Sequence, residues 1–288
     1  MRRQEKKTMS RYLDPKNDLI FKRIFGEHKE LCISLLNSLL PLEHPIISIE
    51  YQTGELLPEI PFLKDSIVDV RCEDDRGRQF IVEMQMLWTN SFQSRVLLNA
   101  SKAYIKQLDA GEDYDFLQPV YSLNFVNQTY QFDTPGYYHH YQIVNIHDTE
   151  KQIQGLEFIF VELQKFKAQS MSEKKLQVLW LRFLTEVDGG VDSVSADFKV
   201  DKNICKAIKY TERAAYKVED LYTYDRVRDV IMTKRAFISD AKKEGKAEGR
   251  TEKEIEVVLN SHRVGIPLKK IAQISGLTID QVKMILEK

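Results

Sequence analysis

The clearest alternation of apolar and polar positions runs through residues 66–86, SIVDVRCEDDRGRQFIVEMQM. Val68, Val70 and Cys72 alternate with Ile67, Asp69, Arg71 and Glu73; Phe80, Val82, Met84 and Met86 alternate with Gln79, Ile81, Glu83 and Gln85. A period of two belongs to a half-buried strand, so two strands are predicted, each with an apolar and a mostly polar face. Asp75-Arg76-Gly77 fits a three-residue hairpin loop, a type I turn followed by a left-handed residue that Gly fills without steric cost. This loop sets Asp74 opposite Arg78. Counting outward puts Asp69 opposite Glu83, with Gln85 two residues on along the same face. A four-residue loop would shift the register by one and dissolve the pairing.

Upstream, Asp14-Pro15 reads as an N-cap and first helical residue, and Leu19, Ile20, Ile24 and Phe25 form a helical stripe ended by Gly26. Leu31, Cys32, Leu35, Leu36, Leu39 and Leu40 continue at core-like spacing to Pro41, and Ile46, Ile47 and Ile49 suggest a first strand. Residues 54–65, with Gly54, Pro58 and Pro61, read as a loop. A helix from about Ser91 to Gly111 carries Arg95, Asn99, Lys102 and Lys106 along one face. The stripe is either a solvated face or a set of phosphate contacts. PVYSLNFV at 119–126 reads as an interior strand, with further strands at 137–146 and 156–163 and a helix at 173–186. Beyond Gly189-Gly190 the pattern is helical. AKKEGKAEGRTEKE at 241–254 fits a solvated connector first and helical self-association second. At the end, Gly265, Pro267, Gly276 and a Thr278/Gln281 capping box divide three short helices, and Ile271, Ala272, Ile274, Leu277, Ile279, Val282, Ile285 and Leu286 could close a small core. The outline is that of a helix-turn-helix, serving DNA contact or protein contact.

Composition narrows the classes. A chain of 288 residues with 43% hydrophobic content can bury a large core, and 42 basic against 43 acidic residues exclude a generally basic nucleic-acid coat while allowing a local basic channel. Cys32, Cys72 and Cys205 are odd in number and sit in apolar patterns, as expected for buried free thiols in a reducing compartment. The basic N-terminus is not followed by an apolar run, and no segment approaches 18 uninterrupted apolar residues. A cytoplasmic protein with no membrane contact is expected.

Asp69 and Glu83 carry the candidate chemistry. Directly opposed residues hold their Cβ atoms about 4.5–5.5 Å apart, so two ionised carboxylates repel unless a cation sits between them or one keeps its proton. A hard divalent ion with oxygen ligands satisfies the pair. The alternative is a solvated face neutralised by Arg71 and Arg78. His139 and His140, adjacent on a strand, point to opposite faces, so at most one could serve a site.

Together DPKNDLIFKRIFG at 14–26, SIVDV and FIVEMQ with GR between them, SRVLLNASKAYIKQL, GEDY with FLQPVYSL, and VELQKF at 161–166 resemble the PD-(D/E)XK nuclease family transposases, also called the recombination-promoting nuclease group. The EGKAEG tail and terminal ISGLTIDQVKMIL also look like tails of this group. The resemblance implies an α/β fold with a restriction-endonuclease-like core, a mixed β-sheet flanked by helices, plus a helical C-terminal region. It implies a nuclease-like domain at 10–190, a helical extension and connector at 191–250, and a terminal unit at 251–288. It also implies a DNA endonuclease using Mg²⁺ or another divalent cation such as Mn²⁺, with Asp69, Glu83 and the Met84 carbonyl as metal ligands. Gln85 falls where the superfamily signature has Lys, and as a neutral amide it would orient water or touch a phosphate oxygen. Arg95 and Lys102 are the expected DNA contacts, with Asp18 and Lys22 bordering the site. The competing expectation is a non-catalytic DNA-binding or mobile-element accessory protein that keeps the fold, with self-association through the C-terminal helices as a further role.

Overall fold

The computed structural model describes residues 10–56, 66–109, 111–168 and 176–287. Helices α1 (Asp18–Phe25) and α2 (Lys29–Leu39) lead into strands β1 (Ile49–Tyr51), β2 (Glu55–Leu56), β3 (Ser66–Ile67), β4 (Val70–Asp74) and β5 (Gln79–Gln85). Helix α3 (Phe92–Ile105) crosses to β6 (Val120–Val126), followed by β7 (Tyr138–Asn145), β8 (Asp148–Glu162) and α4 (Leu176–Glu186). Helices α5 (Lys202–Lys209), α6 (Val218–Arg263), α7 (Leu268–Ser275) and α8 (Ile279–Leu286) complete the chain.

Six strands form one mixed sheet in the order β1-β4-β5-β6-β8-β7. β1, β4 and β5 run antiparallel, β5, β6 and β8 run parallel, and β7 returns antiparallel on β8. β6 is buried along its whole length, which explains its near-continuous apolar sequence. On one face Phe80, Val82, Leu123 and Val161 pack with Phe21, Phe25, Leu35, Trp180 and Phe183. On the other, Ile81 and Val120 meet Ala100 and Ala103 of α3, while Val126 and Phe160 meet Phe92 and Val96. This is a helix–sheet–helix layering around a mixed sheet, the restriction-endonuclease-like architecture.

The hairpin has the expected register: Val70 pairs with Val82, Cys72 with Phe80 and Glu73 with Gln79. Gly77 sits at φ +78°, and the Asp74 carboxylate locks the loop by accepting the Arg76 and Arg78 backbone N–H groups and the Arg78 guanidinium. The first strand is not continuous, however. Ser66–Ile67 pair with β2 in a separate two-stranded sheet, the chain bends at Asp69, and Val68 packs with Ile81 rather than sharing the face of Val70 and Cys72. The face read as polar is also not a solvent face, because α3 lies over it: Gln79 and Glu83 are 4% and 5% exposed.

Other boundaries moved for local reasons. Asp14-Pro15 forms a turn, and Asn17 caps α1 by accepting the Leu19 N–H. α3 ends at Ile105 instead of 111, β8 begins at Asp148 instead of 156, and residues 55–56 of the expected loop are a strand. Residues 57–65 of that loop and 173–175 of the expected helix lie outside the described residues. Cys32 and Cys72 are buried free thiols, but Cys205 is only half-buried. No helix among the described residues is long and apolar enough to cross a membrane.

The chain divides into two compact units, up to Asp229 and from Val230. Phe198, Ile204, Ala207, Tyr216 and Tyr224 belong to the main core, so packing in the first unit continues well past Gly190. In the second unit Val258, Ile271 and Val282 form a small core around the expected stops at Gly265, Gly276 and the Thr278/Gln281 capping box. Ile274 and Ile279, expected inside it, are 61% and 42% exposed.

Candidate active site

The bend at Asp69 builds the site. Asp69 lies one residue before the last β4–β5 pair, so the register carries it opposite Glu83, and the bend turns its carboxylate so that Oδ2 accepts the Met84 N–H at 2.8 Å. Because a strand residue's N–H and C=O point to the same side, the Met84 carbonyl also faces Asp69. Burial pushes the Asp69 carboxyl up to about 7, with Asp18 and Glu83 adding to the rise; the Met84 N–H and Lys22 oppose it. Glu83 is likewise raised by burial, against the pull of Asn99 and Arg95. Two acids with elevated affinities for a proton, facing each other, form a site that gains from a cation.

Glu83 is held from above by α3. The Asn99 amide Nδ2 donates to Glu83 Oε1 at 2.9 Å, and Arg95 Nη2 approaches Oε2 at 3.5 Å. Arg95 makes its shorter contact with Gln85 Oε1, at 2.7 Å, and its guanidinium lies over the Phe92 ring, 5.0 Å from the centroid. The other end of the Gln85 amide donates to the Leu87 carbonyl. On the opposite side Lys22 Nζ pairs with Asp18 at 2.9 Å and reaches Asp69 at 3.6 Å.

The structure therefore brings Asp69, Glu83, Met84, Gln85, Arg95, Asp18 and Lys22 together. Lys102 is further along α3, its amine bonded to the Leu56 carbonyl at 3.1 Å. The helical stripe is not a row of solvated polar groups, since Asn99 is 1% exposed and turned into the site. Asn99 is the functional candidate that sequence reading missed. Its signal was present, four residues after Arg95 on the same face, but only the packing of α3 against β5 shows that it meets a carboxylate. Its Oδ1 is buried without a hydrogen-bond partner.

His139 and His140 do occupy opposite faces. His139 Nε2 bonds Glu162 at 2.8 Å and His140 Nε2 bonds Glu157 at 2.7 Å. Glu162 also takes Lys165 and the Tyr130 N–H, pinning the loop after β6. These histidines hold the sheet edge together and have no part in the carboxylate pair.

Two carboxylates and a carbonyl are hard oxygen donors that suit Mg²⁺ or Mn²⁺ keeping part of its water shell. Among the described residues no cluster of three or more His, Cys, Asp and Glu side chains is found, so the donors at this place are the two carboxylates and the carbonyl. The family model of the PD-(D/E)XK nuclease family transposases matches residues 15–241. No curated protein and no solved structure matches the chain.

Proposed function

The chain belongs to the PD-(D/E)XK nuclease family transposases, and on that premise we propose that it is a divalent-metal-dependent DNA endonuclease, hydrolysing phosphodiester bonds in recombination or mobile-element processing. The observation that carries the reading is the directly opposed pair of half-buried Asp69 and buried Glu83, both shifted toward the protonated form. Asp69, Glu83 and the Met84 carbonyl would hold the ion. When bound, a divalent ion polarises the phosphoryl group and makes water a nucleophile at neutral pH. The Met84 N–H fixes the Asp69 carboxylate and Asn99 fixes Glu83, so the oxygen donors are oriented before any ion arrives. Arg95 offers its remaining N–H donors to a phosphate, and Lys102, about two turns further along the same helix, contacts a neighbouring one. Lys22, anchored on Asp18, lines the opposite wall.

A second reading, DNA binding without turnover, draws on Gln85, which leaves β5 without a cationic side chain at the place where the signature has one. One experiment separates the two. Supercoiled plasmid is incubated with wild type, Asp69→Ala and Glu83→Ala, with Mg²⁺ or Mn²⁺ or a chelator. Nicking by wild type alone, and only with metal, is expected. Full cleavage by both variants would end the assignment, and wild-type binding without cleavage across both metals selects the second reading.

A further inference from the structure

Gln85 stands beside the carboxylate pair, yet both ends of its amide are already engaged. Oε1 accepts from Arg95 Nη2 at 2.7 Å and Nε2 donates to the Leu87 carbonyl. A primary amide has two N–H donors and an oxygen with two lone pairs, so these two bonds fix the direction of the group, with Oε1 turned to the guanidinium, and leave one N–H uncommitted. The residue it holds is different in kind. Arg95 carries a permanent positive charge and five N–H donors in a planar fork, and its contact with the Glu83 carboxylate, at 3.5 Å, is longer than the one with Gln85. Its side chain is 47% exposed while that of Glu83 is 6% exposed, so the guanidinium sits at the mouth of the site and the carboxylate at its floor. The Phe92 ring supports one side of the fork.

We infer that Arg95 is the group that meets the scissile phosphate and that Gln85 is its positioning residue, acting through Arg95. This rests on the nuclease reading for its chemistry, but not for its geometry. Leu87 sets the amide orientation, the amide presents Oε1 to the guanidinium, and the guanidinium is held at the mouth whether or not Glu83 is occupied. The Glu83 contact, the longer of the two, is the one given up when that carboxylate takes a cation. The positive charge at this place then comes from α3 instead of from the strand that carries Glu83.

A double-mutant cycle on the full chain tests this, with Gln85→Ala, Arg95→Ala and the double variant. Two readouts are taken: kcat and KM for plasmid nicking, and the salt dependence of DNA affinity in chelator. Arg95→Ala should lower kcat about 10²-fold and reduce the salt slope by about 1, the loss of one phosphate contact. Gln85→Ala should lower kcat less, about 10-fold, as Arg95 loses its anchor. In the Arg95→Ala background Gln85→Ala should have no further effect on either readout. Arg95→Lys should keep the salt slope but recover little of kcat, because an ammonium lacks the fork. Multiplicative effects, with Gln85→Ala costing the same in both backgrounds, would show that Gln85 acts on its own and overturn the inference. If wild type fails to cleave, the nuclease reading falls, and the chelator arm decides by itself: a Gln85→Ala effect on the salt slope that vanishes in the Arg95→Ala background supports the Arg95–Gln85 pairing, and an effect that persists there refutes it.

Discussion

Asp69→Asn should stabilise the metal-free protein, and increasingly so as pH rises. The folded state lifts the Asp69 carboxyl to about 7 from an ordinary 3.8, burial being the main cause. A group whose folded value is raised binds more protons folded than unfolded between those two values. Stability is therefore fully present below the unfolded value and lost as pH climbs through the folded one. Between pH 5 and 7 that window covers about two units, worth about 1.4 kcal/mol each, or about 3 kcal/mol at most. The side chain is one-fifth exposed, and solvent screening brings the expectation to about 1–2 kcal/mol. Asn keeps an oxygen for the Met84 N–H and never ionises, so it escapes the loss. The assay is urea unfolding in chelator at pH 5 and pH 8, followed by tryptophan fluorescence. Both tryptophans, Trp88 and Trp180, lie in the unit up to Asp229, so the signal reports the unit that holds the site. The gap between Asp69→Asn and wild type should widen by about 1–2 kcal/mol from pH 5 to pH 8, and millimolar Mg²⁺ should raise only the wild-type curve at pH 8. A gap that stays constant with pH, or a variant that is less stable than wild type at pH 8, would refute the reasoning.

Asn99→Ala should weaken divalent-ion affinity about 10–100-fold through the freed Glu83 carboxylate, measured by calorimetric Mn²⁺ titration; unchanged affinity would show that Glu83 needs no support from α3. Gly77→Ala places a Cβ at φ +78° and within 3.1 Å of the Gln118 side chain, so it should cost about 1–2 kcal/mol in denaturant unfolding. Trp180→Ala removes a fully buried ring whose Nε1 donates to Ser34 Oγ at 3.1 Å, and should cost about 3–5 kcal/mol by the same assay. Thr278→Ala breaks a capping box in the second unit and should cost about 1 kcal/mol there, read as a loss of helical circular dichroism at lower temperature.

The hairpin register was legible in the sequence because its determinants are local. The period of two fixes which side chains share a face, and a three-residue loop with a left-handed Gly77 leaves one way to pair the strands. The glycine and capping-box stops of the last helices were legible for the same reason, as were the opposite faces of His139 and His140. Tertiary packing decided the rest. The bend that breaks the strand at Asp69, and so aims its carboxylate at the Met84 N–H, depends on β3 leaving to pair with β2. A polar strand face becomes a buried site only because α3 covers it. Nothing in the spacing of Arg95 and Asn99 says which strand lies beneath them, since helical periodicity defines a face and not its partner. Ile274 and Ile279 show the same limit in reverse: their spacing matched a core, and the small terminal unit has too little interior to bury them. The sequence by itself determined which two acids oppose each other. The packing of α3 and the bend at Asp69 determined that they are withdrawn from solvent, Glu83 fully and Asp69 in large part, raised in pKa and flanked by Arg95 and Lys22, because desolvation and charge pairing depend on neighbours brought from other parts of the chain.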